Sequence, residues 1–194
     1  MPPSTPCALG FRIKSGWATT VLLAGPAKSP RVVECRVTLL ADPDDPEARQ
    51  PYHAGLDTHE SRASKGVSRL VKRVERFAHR SVARVLAACR AAGYRVRAAG
   101  IVVGSVIDPA RIPNDHIRAH AEEGRLFRRV VEEGLRKSRV PVRVMVEKEL
   151  WVKGARLRKR VAALGENVEG PWRAEEKAAA LAAWMALQPL GPSS

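Results

Sequence analysis

CALGFRIKSGWATTVLL, residues Cys7 to Leu23, decides how the chain begins. Leu9, Phe11 and Ile13 alternate with Ala8, Gly10, Arg12 and Lys14, and that period of two belongs to a β-strand. Ser15-Gly16 offers a two-residue turn in which glycine takes the positive φ a tight hairpin requires. Trp17 to Leu23 then reads as a second strand. Past a loop from Gly25-Pro26 to Pro30, the β-branched residues between Val32 and Leu40 predict a third. The chain opens with a three-stranded antiparallel meander.

Working outward, Asp42 to Gly55 is acidic and then Pro-rich, the composition of a surface loop. Asp57, with Glu60 three residues on, has the spacing of a capping box and predicts the start of a long helix. Leu70, Val74, Ala78, Val82, Val85, Leu86 and Cys89 recur along it at three- and four-residue steps, and Gly93 is placed to end it. Val96 to Val106, VRAAGIVVGSV, is the continuous apolar run of a strand buried on both faces. Asp108-Pro109 breaks it. Pro113-Asn114 precedes a helix from Asp115 to Lys137, Val140 to Val146 is another strand, and helices follow over Glu147 to Leu164 and Arg173 to Leu187. The order is βββαβαβα with an extra C-terminal helix. Right-handed crossovers make the fourth and fifth strands parallel to the first. A meander continued by two parallel strands, with flanking helices, is an α/β arrangement of the ribonuclease H-like kind. One domain is expected over residues 1–188, with a disordered tail over 189–194.

The bulk properties bound the function. The 194 residues carry 34 Lys and Arg against 20 Asp and Glu, a net charge of +14. A domain this basic attracts polyanions, DNA or RNA first among them, although the Arg and Ala content also matches GC-rich codon usage. No apolar run approaches the ~18–20 residues that span a membrane. The start, Met1-Pro2-Pro3, has no secretory pattern. Cys7, Cys35 and Cys89 suit neither a disulfide framework nor a zinc motif, so a reducing cytoplasm is expected.

Leu9-Gly10-Phe11-Arg12 followed by Ser15-Gly16-Trp17 resembles the opening strand and turn of RuvC-type Holliday-junction resolvases, where a Leu/Ile-Gly-Ile-Asp strand enters a glycine turn. Ile101-Val102-Val103-Gly104 sits where that family has its second acid. Glu176-Lys177-Ala178-Ala179-Ala180-Leu181-Ala182 resembles its closing Asp-x-Ala-Asp-Ala-Leu-Ala helix. The resemblance implies a nuclease whose carboxylate cage holds two hard divalent cations, magnesium or manganese, which activate water and stabilise the leaving oxygen. This chain departs from it. Arg12 stands at the first acid position with Lys14 nearby, Gly104 or Ser105 at the second, and Ala179 in the last helix, where only Glu176 remains acidic. The expectation is a noncatalytic relative that uses no cofactor and meets phosphate directly through Arg12 and Lys14. A divergent metal-dependent nuclease using Asp108, Glu147 and Glu176 is the alternative. A scaffold module for an acidic protein partner is a third, and a homodimer is left open.

Other residues join the candidate surface. Arg69, Arg73, Arg76, Arg80 and Arg84 form a stripe interrupted by a single acid, Glu75, where ordinary helix faces mix signs. Arg156, Arg158, Lys159 and Arg160 form a second cluster. His116, Arg118, His120 and Glu123 gather at the start of one helix, and the two histidines share a face. They suit a phosphate contact. A metal is not assigned there, because no third ligand is evident. Gly124 on the same helix is expected to permit close helix–sheet packing. Tyr52-His53 reads first as a turn anchor. Trp172, followed by Arg173, suits either a base-stacking platform or a staple on the last helix. No P-loop, Rossmann fingerprint or nucleophile elbow is present.

Overall fold

The computed structural model describes residues 4–56 and 60–188. The helix start expected at Asp57 with its Glu60 side chain, and the tail expected over 189–194, lie outside the described residues.

Alternation in the first strands is realised directly. β1 (Thr5–Lys14) turns at Ser15-Gly16 into β2 (Trp17–Ala24), Gly16 takes φ 83°, and Lys14 pairs with Trp17 across the turn. β3 (Arg31–Leu39) completes the meander. The long helix α2 (Glu60–Ala91) then leads to β4 (Tyr94–Val103), and Gly93, at φ 79°, makes the reversal between them. α3 (Asp115–Lys137) leads to β5 (Val142–Val146). The sheet order is β3-β2-β1-β4-β5, with β4 parallel to both β1 and β5. This is the ribonuclease H-like arrangement.

β1 is central and buried on both faces. Leu9, Phe11 and Ile13 meet the α2–α3 layer, where Val74, Ala78, Val82, Phe127 and Val131 are buried with them. Ala8 faces the opposite layer, built on α6 (Ala174–Leu187), whose residues from Ala178 to Ala183 are all fully buried. Gly10 and Gly100 are register partners on β1 and β4. A Cβ on Gly10 would overlap the Ala179 carbonyl oxygen, and one on Gly100 the Ala182 carbonyl oxygen. The helix backbone therefore rests on a two-glycine seat. No helix of the described residues is long and apolar enough to cross a membrane.

Four details differ from the sequence reading. The acidic loop after β3 contains a short helix, α1 (Pro46–Arg49), pinned by the buried Ala48. β4 ends at Val103, where its pairing with β5 ends, so Val106 is exposed instead of buried, as is Ile107 after it. The helix expected over Glu147 to Leu164 is broken into α4 (Glu147–Lys153), a 3-10 turn over Ala155–Leu157 and α5 (Arg158–Ala163). The break falls at Gly154, which ends α4 at φ −92° and ψ 11°, outside the helical region, with its N–H bonded to the Leu150 carbonyl. Gly124 is exposed with open space beside it. Close packing belongs instead to Gly134, whose Cβ position is 3.0 Å from Val82 of α2.

The glycine seat sets a stability test. Gly10→Ala and Gly100→Ala should each lower the free energy of unfolding in urea by about 1–3 kcal/mol, the usual cost of overpacking. Gly104→Ala, with nothing near its Cβ position, should stay within about 0.5 kcal/mol of the parent. Equal effects at all three positions would contradict the seating of α6.

Candidate nucleic-acid interface

The C-terminal ends of β1 and β4 and one side of α3 enclose a cavity of about 270 Å³. Arg12, Lys14, His120, Arg125 and Arg128 line it together with Gly104 and Ser105, and no Asp or Glu is among its described lining residues. Each strand contributes by register. Arg12 pairs with Val102, so the end of β1 lies beside the last residues of β4 and the bend that begins at Gly104. Gly124 faces this space, and its missing side chain leaves room in the cavity.

The two cations expected to meet phosphate point into this region but are already paired. Arg12 is only 7% exposed; it donates to Glu147 Oε2 at 2.6 Å and to the Ile13 carbonyl at 3.0 Å, and its Nε is buried without an acceptor. Lys14 pairs with Glu175 at the start of α6, at 2.9 Å. A guanidinium this deep requires a counter-charge, because leaving water unpaired is expensive. Arg125 and Arg128 make ion pairs along their own helix, with Glu122 at 3.7 Å and Glu132 at 3.3 Å.

The acids proposed for metal chemistry are spent elsewhere. Asp108 Oδ1 accepts from the Ala110 N–H and caps the 3-10 turn Pro109–Arg111. Glu147 holds Arg12. Glu176 accepts from the Arg173 N–H in a capping box at the start of α6. Among the described residues these three do not gather into a group that could hold a metal.

The arginine stripe of α2 is less bare than the sequence implies. Its five arginines are exposed, but Asp42, Asp44 and Asp45 of the preceding segment share a groove with Arg73, Arg76 and Arg80, and Arg73 pairs with Asp45 at 2.9 Å. Arg80 lies 5.9 Å from the Phe77 ring, and Arg84 donates to Ser81 at 3.3 Å. Acids distant in sequence supply the mixed sign that the helix itself lacks. In the second cluster, Arg160 bonds the Lys28 carbonyl and lies over Trp184 at 4.7 Å.

The start of α3 is built differently from expectation. Asn114 caps the helix by accepting from the Ile117 N–H at 3.0 Å. Arg118 is a bracket for that start, pairing with Asp115 and donating to the Ile112 carbonyl at 3.0 Å, which engages its guanidinium. Glu123 is completely buried, out of reach of any polymer. One of its oxygens accepts from His53 Nδ1 at 2.8 Å, and the other lies 4.0 Å from His120 Nδ1. His53 thus joins His116 and His120, with ring centroids 4.2 to 4.7 Å apart. Among the described residues this trio is the one group whose donors converge as metal ligands do, within 4.8 Å of one another. The i,i+4 pair His116 and His120 was visible in sequence; His53, in a segment without periodicity, carried no signal of its own.

Trp172 is half-buried and staples the segment before it, over Val161 and Gly165, instead of the last helix. Its indole N–H donates to the Val161 carbonyl at 3.0 Å and its ring covers Gly165. Arg173 beside it is exposed. The three thiols are free and poor nucleophiles: burial first, then the neighbouring Cys89, pushes Cys7 up to about 12, and burial with the charges of Glu176 and Glu34 pushes Cys35 to about 11.

No family model and no curated protein matches the chain by sequence. Solved structures similar in fold include two of RuvC. Thermus thermophilus RuvC in complex with a Holliday junction substrate has a TM-score of 0.55 and 13% identity, over 92% of this chain and 90% of that one. The Thermus thermophilus RuvC structure has a TM-score of 0.54 and 13% identity, over the same 92% and 90%. The likeness establishes the fold.

The Arg12–Glu147 pair is testable by a double-mutant cycle. Glu147→Ala should destabilise the chain by about 1–3 kcal/mol, since it strands a buried guanidinium. Adding Arg12→Met should recover most of that loss in urea melts; an additive loss would show that the two side chains do not interact.

Proposed function

We propose that this chain is a noncatalytic nucleic-acid-binding protein that meets the phosphate backbone at the cavity between β1, β4 and α3. The observation that carries the reading is the lining of that cavity, four Arg or Lys side chains and one histidine with no carboxylate among the described lining residues. Hard divalent cations need oxygen ligands, and a cavity so lined repels them. It suits the anion that such cations would otherwise bind. Ion pairing does not remove this capacity. Lys14, Arg125 and Arg128 are partly exposed, and each keeps N–H donors beyond its single ion pair. The net charge of +14 supplies the long-range attraction. The RuvC structure similar to this chain is in complex with a Holliday junction substrate, so branched DNA is the first ligand to try.

The divergent-nuclease reading has less support, because Asp108, Glu147 and Glu176 cap or pair within the fold. The test is fluorescence anisotropy on single-stranded, duplex and four-way-junction DNA across a salt series, with chelator or with manganese. Binding in chelator is expected, with a log–log salt slope of roughly −0.9 per phosphate neutralised on duplex. Arg125→Ala and Arg128→Ala should each reduce that slope by about 1, and the DNA should be recovered intact. Manganese-dependent cleavage lost in Glu147→Gln would favour the nuclease. No binding at moderate salt would sink the reading and favour an acidic protein partner.

A further inference from the structure

We propose that His53, His116 and His120 bind one zinc-class transition-metal ion, with Glu123 as the buried group that orients His53. The site shares His120 with the lining of the cavity proposed above, but the argument for it does not rest on that reading.

The first observation is convergence. Two ligands come from adjacent turns at the start of α3 and the third from the segment between α1 and α2. The Nε2 atoms of His116 and His120 are 3.3 Å apart. Zinc–nitrogen bonds of roughly 2.0–2.1 Å in a tetrahedron set neighbouring nitrogens about 3.3–3.4 Å apart. The pair therefore already spans one edge of such a tetrahedron, and His53 is positioned to supply a third corner.

The second observation is a set of unsatisfied polar atoms at the same place. His53 Nδ1 is bonded to Glu123, which leaves Nε2 as its ligand atom; that nitrogen is buried and has no hydrogen-bond partner. Glu123 Oε2 is also buried without a partner, in a residue with no exposure at all. Orphaned buried polar atoms are rare and costly. One cation satisfies both: His53 Nε2 gains a bond, and the buried carboxyl gains a compensating positive charge. A carboxyl holding the far nitrogen of a ligating imidazole is the usual means of fixing its tautomer and ring orientation. A small rotation of the His120 ring would let its Nδ1 donate to Glu123 Oε2, now 4.0 Å away.

The donor set selects the metal. Three imidazoles suit zinc, cobalt, nickel or copper, whereas magnesium prefers oxygen. Three protein ligands leave a fourth position, and His116 and His120 are both exposed. That position is open to solvent, where a water or an anionic oxygen completes the shell. His120 also lines the cavity of Arg12 and Arg128, so the ion stands at its rim.

The test uses the full chain without an affinity tag, stripped with chelator and studied without nucleic acid. Titration with cobalt(II) should develop the visible bands of a low-symmetry site, saturating at one ion per chain. Zinc should displace cobalt and millimolar magnesium should not. His116→Ala and His53→Ala should each abolish the bands, and Glu123→Gln should weaken zinc binding by roughly 10–100-fold in calorimetry. His116 is exposed, so folding of that variant is the least at risk, and circular dichroism confirms it. Absence of the bands in the parent chain, or bands of equal intensity in His116→Ala, would overturn the site. Either result leaves the DNA-binding reading to its own assay.

Discussion

Gly10 and Gly100 stand side by side on the two central parallel strands, and the backbone of α6 lies directly on them. A helix can approach a sheet this closely only where side chains are missing on the strands and small on the helix, and Ala178, Ala179, Ala180, Ala182 and Ala183 meet the second condition. Much else depends on that contact. The approach of α6 brings Glu175 to the end of β1. Arg12 lies on the same face of β1 as Gly10, two residues on, where the seat gives way to the cavity.

The electrostatics follow from this geometry. Each cation at the end of β1 is met by a carboxyl from another element, Arg12 by Glu147 at the junction of β5 and α4, and Lys14 by Glu175 of α6. Neither carboxyl is among the described lining residues of the cavity, which are Arg12, Lys14, Arg125, Arg128 and His120 with uncharged neighbours. The histidine trio beside it has different chemistry, nitrogen donors backed by one buried acid.

The fold was legible because local signals agreed with one another. Alternation marked β1 and β2, Ser15-Gly16 and Gly93 marked the reversals, and the apolar steps of α2 marked its buried face. The site was legible only in part. Arg12 and Lys14 were placed at the site by the resemblance of the first strand to that of the RuvC-type resolvases, but their partners lie far along the chain, Glu147 being 135 positions from Arg12. Separation in sequence also hid Asp45 from Arg73, 28 positions on, and His53 from His116. Gly124 misled because helical periodicity does not reveal which glycine faces a neighbour and which faces open space.

The claim at the centre is that polyanions bind at the ends of β1 and β4 without any divalent metal. Amide chemical-shift mapping of the isotope-labelled chain, titrated with junction DNA in chelator, tests it most directly. The expected result is saturable shifts at Arg12 to Ser15, at Gly104 and Ser105, and along α3 near Arg125 and Arg128. Shifts confined to the α2 stripe, or shifts at the cavity that appear only when magnesium is added, would contradict it.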